Sequence, residues 1–327
     1  MSAAPASASD AVMFDAAGDR VLVTGSRGFL GSYVCEALLE RGVAPSRLSR
    51  IGHSDYELTR EAEVRRMFAE HPADVVIHLA AEVGGIGANR VSPGRFFYAN
   101  FAMGLNLVEQ ARIAGVRKFV HVGTVCGYPR TAPVPFREED LWSGAPDPTT
   151  APYGVAKTTL SVMLDAYHRE YGLDAAVLIP VNLYGPGDNF DLETGHVVAS
   201  LIRRFVEAER SGASSVTCWG TGEATREFLY VAEAAEAIVR ATERVNDPQP
   251  INVGTGVEVR ISDLADRIAG LVGYDGEILW DPEMPDGQPR RCLDTTRAAD
   301  RLDWQASLSL DEGLRRTINA YRKATGA

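Results

Sequence analysis

Apolar residues follow two different spacings along the 327-residue chain. Short continuous apolar runs predict buried strands, whereas apolar positions that recur every three or four residues predict helices with one buried face. The predicted strands of the first half are 20–24, 74–80, 118–122 and 175–179. Helical patterns lie between them, one around residues 100–114 and an earlier one that places on one face Val34, Ala37, Leu38 and Leu39. This alternation predicts right-handed βαβ units and an α/β fold with a doubly wound parallel sheet.

The pattern changes after Pro180. Loops become longer and richer in Gly and Pro, at 182–195, 219–223 and 282–289. Helices are predicted near 196–210, 232–244 and 261–272. We therefore expect a smaller C-terminal lobe that caps the sheet and contacts a substrate. The predicted organisation is a flexible tail (1–17), a sheet domain (18–181) with a returning segment near 228–254, and a substrate-binding lobe (182–227 and 255–327).

Composition and charge argue against several classes of function. The formal net charge of −11 argues against nucleic-acid or anionic-membrane partners, because both demand clustered Lys and Arg. The four cysteines are scattered and form no CxxC pair, which argues against a metal site or a disulfide framework and favours a reducing cytoplasm. No apolar run reaches the length of a membrane span. The first 17 residues lack the basic start and apolar stretch of a signal peptide.

Three glycines mark the turn between the first predicted strand and the helix that follows. Gly25, Gly28 and Gly31 form a Gly-x-x-Gly-x-x-Gly pattern. Glycines let the backbone approach a pyrophosphate, and the helix N-terminus supplies unpaired N–H groups and a positive dipole end. This context predicts a dinucleotide-binding Rossmann turn with the spacing typical of short-chain dehydrogenase/reductases. The alternative is a turn that serves packing alone.

The choice between NAD(H) and NADP(H) depends on charge near the adenosine 2′ position. NAD enzymes usually end their second strand with Asp or Glu, whereas a 2′-phosphate calls for Arg. Residues 48–53 contain no acid before Asp55, and Arg27 lies inside the glycine turn. The sequence therefore favours NADP(H), with Arg27 bound to the 2′-phosphate. Alternatively, Arg27 is a solvated surface side chain.

Tyr153 and Lys157 are the residues that indicate catalysis most clearly. On a helix, residues four apart share a face. A neighbouring ammonium and an oxidised nicotinamide favour the phenolate, so we expect the pKa of Tyr153 to be lowered. Tyr153 would then pass a proton to a carbonyl oxygen as hydride arrives at its carbon. Such a pair alone is usually an exposed helix face, but after this glycine turn it predicts a catalytic pair.

Thr124 follows the strand predicted at 118–122, and we expect its hydroxyl to bind the same substrate oxygen. In an extended chain, residues 124 and 126 point the same way, so the side chains of Thr124 and Cys126 would both point into one pocket. A single cysteine is more often a small core residue. Beside Tyr153, the Cys126 thiol is also a candidate base.

With these motifs located, the chain resembles the GDP-L-fucose synthases, extended short-chain dehydrogenase/reductases that epimerise and then reduce a GDP-4-keto-6-deoxy-mannose. The resemblance runs from about residue 20 to residue 322. It rests on separated blocks: HLAAEVGGIGAN (78–89), VGTVCGYP (122–129), PYGVAK (152–157), NLYGPGDNFDLETGHV (182–197), WGTGEATREFLYV (219–231), INVGTG (251–256) and PDGQPRRCLD (285–294).

The resemblance implies an NADP(H)-dependent epimerase and reductase that forms GDP-L-fucose, with Cys126 as base and His196 as the acid on the opposite face. It also implies a homodimer formed through the helices at 100–114 and 154–170. The implied cofactor contacts are Gly25, Arg27, Gly28, Phe29, Leu30, Gly31, Leu79, Ala80, Ala81, Lys157, Pro180, Asn182 and Leu183. The implied substrate contacts are Asn182, Val197, Leu201, Arg204, Trp219, Arg226 and Arg291, and the arginines suit a diphosphate.

Some positions depart from the family pattern. Thr124 and Val125 each stand where the family has Ser, and His53 replaces an Arg that helps to bind the 2′-phosphate. Arg291 replaces a Lys, and residues 231–233 differ from the family's Val-Asp-Asp. Two other functions therefore remain open: a 4-ketoreductase of another nucleotide-linked 4-keto-6-deoxy sugar or a heptose, and a non-catalytic NADP-binding regulator.

Overall fold

The computed structural model describes residues 13–284 and 286–326. The strands, in chain order, are β1 (Val21–Thr24), β2 (Leu48–Ile51), β3 (Val75–His78), β4 (Lys118–Val122), β5 (Asp174–Pro180), β6 (Asn182–Tyr184), β7 (Ser215–Trp219), β8 (Thr225–Arg226), β9 (Phe228–Tyr230), β10 (Pro250–Val253), β11 (Val259–Arg260) and β12 (Glu277–Asp281). Six of them form a parallel sheet in the order β10-β5-β4-β3-β1-β2. The predicted doubly wound parallel sheet is confirmed.

Helices cover both faces of this sheet. In chain order, the helices of the described residues are α1 (Phe29–Glu40), α2 (Glu61–Glu70), α3 (Ile86–Val91), α4 (Pro93–Ile113), α5 (Ala151–Tyr171), α6 (Val197–Ser211), α7 (Val231–Arg244), α8 (Ile261–Val272), α9 (Thr296–Leu302) and α10 (Leu310–Thr325). Side chains alternate between the faces: Val21 and Val23 join the core under α1 and α7, whereas Leu22 joins the core under α2, α4 and α5. Because both faces are buried, the central strands are mostly apolar, whereas the edge strand β2 contains Ser49 and Arg50.

Strand β3 is shorter than the predicted strand 74–80. It ends at His78, and the next residues turn toward the carboxyl edge of the sheet, where the backbone N–H of Leu79 donates to the carbonyl of Thr24 at 3.2 Å. The N–H of Ala80 bonds the Thr24 hydroxyl at 3.3 Å. The apolar run continues past the strand because Leu79 and Ala80 line a cavity instead of the sheet.

Helix boundaries follow the periodicity with local differences. The helix predicted at 100–114 begins seven residues earlier, where Pro93 occupies its first turn. Proline suits that position because its missing N–H has no partner there in any helix. The three helices predicted after Pro180 are α6, α7 and α8.

The N-terminal segment differs from the expected tail. Residues 1–12 of that tail lie outside the described residues. Further along, Phe14 and Ala16 pack against the core beside the sheet. The backbone N–H of Asp19 also closes a turn onto the carbonyl of Asp15 at 2.8 Å. Residues 14–17 are therefore anchored to the fold.

The second lobe has its own core, built from α6, α8 and α10 with short strands. Three pairs, β6 with β9, β7 with β12 and β8 with β11, form small separate sheets. The sequence pattern did not predict these strands, because two to five residues are too few to show a period. Within the described residues, no helix combines the length and the apolar character needed to span a bilayer.

Glu227 ties the lobe to the sheet domain. Its side chain is completely buried, and its carboxylate accepts backbone N–H groups from Thr255, from Gly256 at 2.7 Å and from Leu293 at 2.7 Å. Burial raises the pKa of Glu227, while these amides favour its charged form. One carboxylate therefore joins two separate segments, residues 255–256 and Leu293, to the strand pair around Glu227.

Candidate active site

A cavity of about 1190 Å³ lies at the carboxyl edge of the sheet and extends into the second lobe. In open parallel α/β sheets, ligands bind at this edge. Its wall includes every cofactor, substrate and catalytic residue that the sequence predicted. The structure therefore brings together positions that are up to 266 residues apart, from Gly25 to Arg291.

The glycine turn forms one end of the cavity. Gly25 has φ +68°, and a Cβ placed on it would lie 2.7 Å from the backbone N of Ala80. A Cβ on Gly31 would lie 2.0 Å from the carbonyl oxygen of Gly25. Helix α1 starts directly after Gly28, so its unpaired N–H groups face the turn. Only glycines fit this cradle, and the residues present fit a dinucleotide pyrophosphate.

Arg27 lies at this end of the cavity and is already paired. Its guanidinium is 3.1 Å from the Asp55 carboxylate, which also accepts the backbone N–H of Gly52 at 2.7 Å. The Gly52 amide, and then Arg27, lowers the pKa of Asp55. The sequence placed Asp55 beyond the cofactor strand, but the loop after β2 folds back and brings it to the arginine. His53, beside them, also lines the cavity.

Helix α5 brings Tyr153 to the middle of the cavity. A Cβ on Gly154 would lie 2.3 Å from the carbonyl oxygen of Cys126, so the first turn of the helix packs directly on that backbone. Burial raises the pKa of Tyr153 far above its usual value, the Cys126 thiol adds to the effect, and a hydrogen bond with Thr124 opposes it. The expected lowering of this pKa depends on a bound oxidised nicotinamide as well as on Lys157. Among the groups of the protein itself, burial has the largest effect, and it favours the protonated phenol.

Lys157 is buried one helical turn further on, and burial lowers its pKa to about 7. Its backbone carbonyl lies 3.0 Å from Nε2 of His121. The rings of His121 and His78 stack at 5.9 Å and are fully buried, and burial first, then Lys157, lowers the pKa of both. Sequence reasoning missed this neutral pair, because nothing in the pattern of β3 or β4 separates it from ordinary core positions.

Thr124 and Cys126 both line the cavity, but for a different reason from the one the sequence suggested. The chain is not extended there: residues Val125–Gly127 form a 3-10 turn. The Thr124 hydroxyl caps that turn by accepting the backbone N–H of Cys126 at 3.2 Å. The cap holds the two side chains beside each other at the end of β4.

Two arginines lie next to Cys126. Nη1 of Arg291 is 3.5 Å from its sulfur, and Nε of Arg291 donates to Gln288 at 2.9 Å. Arg226 is buried on β8 and donates to the Asp286 carbonyl at 2.8 Å. Burial, and then Arg291, lowers the pKa of Arg226 to about 10. Both were expected to hold a diphosphate, but the structure places Arg291 in contact with the thiol.

His196 faces the cavity from the start of α6. Its Nδ1 lies 3.3 Å from Oδ1 of Asp188, a buried residue of the preceding loop. The loop closes on itself, since a Cβ on Gly195 would lie 2.4 Å from the carbonyl oxygens of Asn189 and Asp191. Sequence reasoning did not select Asp188, although the block that contains His196 also contains it.

The outer part of the cavity holds the other predicted substrate contacts. Arg204 bonds the Thr217 carbonyl at 3.2 Å, and Asn182 bonds the Glu227 carbonyl at 3.0 Å. Trp219 is about half exposed at the cavity mouth, near Trp280. Among the described residues, no three His, Cys, Asp or Glu side chains lie where they could hold a metal ion.

The chain is similar in sequence to known proteins. The sequence model of the NAD dependent epimerase/dehydratase family matches residues 21–254. The chain belongs to this family. It is 39% identical over 305 residues to "Probable GDP-L-fucose synthase 1" of Oryza sativa subsp. japonica, covering 93% of this chain and 92% of that relative. It is 38% identical to the GDP-L-fucose synthase of Escherichia coli (strain K12) over 311 residues, covering 92% and 96%.

A solved family structure has the same fold. The GDP-L-fucose synthetase from Naegleria fowleri bound to NADP superimposes with a TM-score of 0.83 at 23% identity, covering 95% of this chain and 96% of that one. The resemblance to GDP-L-fucose synthases that the sequence predicted is therefore confirmed. So is the assignment of the chain as a nicotinamide-dependent epimerase and reductase of this family.

Proposed function

We propose that this protein converts GDP-4-keto-6-deoxy-D-mannose to GDP-L-fucose, using NADPH. The observation that carries the proposal is the meeting of two catalytic sets in one cavity. Tyr153, Lys157 and Thr124 form the set for carbonyl reduction, and Cys126 with His196 forms an acid–base pair beside it. The relatives named GDP-L-fucose synthase, at 38–39% identity across nearly the whole chain, support the same reaction.

Epimerisation comes first in this proposal. The protons at C3 and C5 lie α to the C4 ketone, so their removal gives an enolate whose oxygen needs hydrogen-bond donors. Tyr153 remains protonated because of its burial and supplies one donor, and the Thr124 hydroxyl supplies another. The Cys126 thiolate takes the proton, with the Arg291 guanidinium against its sulfur. His196 returns a proton from the opposite face, which inverts the carbon.

Reduction follows at the same carbonyl. NADPH, when bound, supplies hydride to C4. The raised pKa of Tyr153 suits it to hold its proton until the C4 oxygen gains charge, and then to donate it. Lys157 supplies positive charge one helical turn away. Gly25, Gly31 and the start of α1 would hold the pyrophosphate, with Arg27 at the adenosine end.

The test is product analysis by NMR after reaction in deuterated water. The wild type should place deuterium at C3 and C5 and consume one NADPH for each GDP-L-fucose formed. Cys126→Ser and His196→Gln should slow deuterium incorporation strongly, whereas Tyr153→Phe should retain exchange at a reduced rate and lose NADPH oxidation. Reduced sugar without deuterium at C3 and C5 would overturn the epimerase assignment.

A second candidate is a 4-ketoreductase of another nucleotide-linked 4-keto-6-deoxy sugar or a heptose. The observation that favours it is Val125, which lies in the cavity wall where the family has Ser. A valine at this position removes a hydroxyl from the cavity wall. Turnover of another GDP-linked ketosugar faster than the mannose derivative would select this candidate.

We also propose that the protein is a homodimer formed through α4 and α5 and works in the cytoplasm. These helices pack on each other and leave large apolar side chains exposed. Tyr98 with Leu105, and Val155 with Val162, are each spaced seven apart, which places each pair on one helix face. Four unpaired cysteines suit a reducing compartment.

A further inference from the structure

The loop between β6 and α6 buries a carboxylate behind His196. The Asp188 side chain is almost fully shielded from solvent, at 2% exposure. Its Oδ1 accepts the backbone N–H of Asn189 at 2.7 Å and lies 3.3 Å from Nδ1 of His196. Its Oδ2 is buried and meets no hydrogen-bond donor within the described part of the chain. Burying a carboxylate with an unpaired oxygen is unfavourable, so this side chain needs a purpose beyond closing the loop.

Asp188 and His196 lie on different sides of the cavity wall. His196 lines the cavity, whereas Asp188 is not part of the lining. The carboxylate therefore contacts the histidine from behind. With Nδ1 turned to Asp188, Nε2 is the ring nitrogen left for the cavity.

The position of His196 explains why a buried anion is useful. It is the residue directly before α6, with extended backbone angles. The N-terminus of a helix carries positive potential, which disfavours a cation placed there. A carboxylate at 3.3 Å offsets that potential and offers Nδ1 a hydrogen-bond acceptor.

We propose that Asp188 is the positioning residue for His196: it keeps a proton on Nδ1 and directs Nε2 toward the substrate. This inference rests on the proposed function, in which His196 is the epimerisation acid. The protons balance as follows: the Cys126 thiolate accepts one from the substrate carbon, and the His196 imidazolium releases one from Nε2 to the opposite face. The Nδ1 proton stays hydrogen-bonded to Asp188 in both charge states of the ring.

The first test reads the ring directly and needs no substrate. Nitrogen-15 NMR separates protonated from bare imidazole nitrogens, and the His196 signals among six histidines are those missing from His196→Gln. In the alkaline range, where imidazoles are neutral, the wild type should show Nδ1 protonated and Nε2 bare. Asp188→Ala should give a mixture of the two tautomers. A bare Nδ1 in the wild type overturns the proposal, even if the alanine variant fails to fold.

The second test is a double-mutant cycle on deuterium incorporation. Asp188→Asn keeps the size of the side chain and removes its charge, and it should slow incorporation by about 10- to 100-fold with little change in KM. In a His196→Gln background, the same substitution should add no further loss, because Asp188 acts through His196. Independent, multiplying losses would overturn the proposal.

A control separates positioning from loop support. Asp191 lies in the same loop and accepts backbone N–H groups from Glu193 and Thr194. Asp191→Asn should leave the His196 tautomer and the incorporation rate near wild type, and an effect equal to that of Asp188→Asn would refute the role assigned to Asp188. If wild-type protein shows the expected tautomer but no incorporation at all, the proposed epimerase function fails while the pairing stands.

Discussion

Nη1 of Arg291 lies 3.5 Å from Sγ of Cys126, although the two residues are 165 positions apart in the chain. Glu227 helps to position Arg291 for this contact, because its carboxylate binds the backbone N–H of Leu293 and so fixes the segment that follows Arg291. The arginine is buried, so its charge acts on the thiol with little solvent screening. We therefore expect Arg291 to take part in the proposed acid–base chemistry as well as in holding substrate.

Replacing Arg291 should reduce the rate of epimerisation more than it weakens substrate binding. Arg291→Met keeps bulk and removes the charge beside the thiol, and we expect deuterium incorporation to fall about 10- to 100-fold, as for loss of one charge-assisted hydrogen bond. Arg291→Lys, which keeps the charge, should recover most of that loss. Equal effects of Met and Lys on incorporation would contradict a charge-based role.

Gly154 sets the distance between α5 and the turn that holds Cys126. The Cβ of Gly154→Ala would meet the Cys126 carbonyl at 2.3 Å, so helix or turn must move. We expect a loss of about 1–3 kcal/mol in the free energy of unfolding, together with loss of both activities. Gly270→Ala is the matched control: it lies in helix α8 with open space around it and should stabilise by about 0.5–1 kcal/mol. Urea denaturation measures the free energy of unfolding of both variants.

Cofactor selection should depend on the pair formed by Arg27 and Asp55. Arg27→Ala should weaken NADPH binding about 10- to 100-fold and leave NADH nearly unchanged, because only NADPH carries the 2′-phosphate. Asp55→Asn should strengthen NADPH binding, since it frees the arginine while an amide oxygen can still accept the Gly52 N–H. This prediction is tested by the dissociation constants of NADPH and NADH, measured by calorimetry without substrate. Parallel changes for NADPH and NADH would disprove the assignment of Arg27.

The reductive step should lose rate as the pH rises through about 7. Burial lowers the pKa of Lys157 to about 7, so its ammonium is present below that pH and is lost above it. Tyr153 stays protonated throughout this range. Single-turnover NADPH oxidation should therefore fall about tenfold per pH unit above the break. Lys157→Met should be slow and show no such break, and a break that persists in this variant belongs to another group.

Charge placed on the α5 face should separate the proposed homodimer. Val162 is 52% exposed on that helix. Val162→Glu should give monomers in analytical ultracentrifugation with the fold intact, because a buried unpaired carboxylate opposes association. Val257→Glu is the control, since Val257 is 60% exposed in the loop between β10 and β11, and it should leave the assembly unchanged. A wild type that is monomeric at all concentrations would contradict the dimer.

The sequence by itself determined the sheet and predicted the glycine turn and the pair formed by Tyr153 and Lys157. Apolar runs placed β1, β4 and β5, since strands buried on both faces leave no other pattern. The four-residue spacing of Tyr153 and Lys157 placed both on one helix face, because helical geometry is local. Local rules therefore sufficed for each of these features.

Tertiary structure alone decided what surrounds those residues. The carboxylates Asp55 and Asp188 came to Arg27 and His196 through loop closure, and Arg291 came to Cys126 through packing of the second lobe. Burial raises the pKa of Tyr153, because desolvation depends on every segment that covers the ring. Apart from Asp188 and His196, which are eight residues apart, these contacts join segments distant in the chain, and no local spacing encodes such a distance.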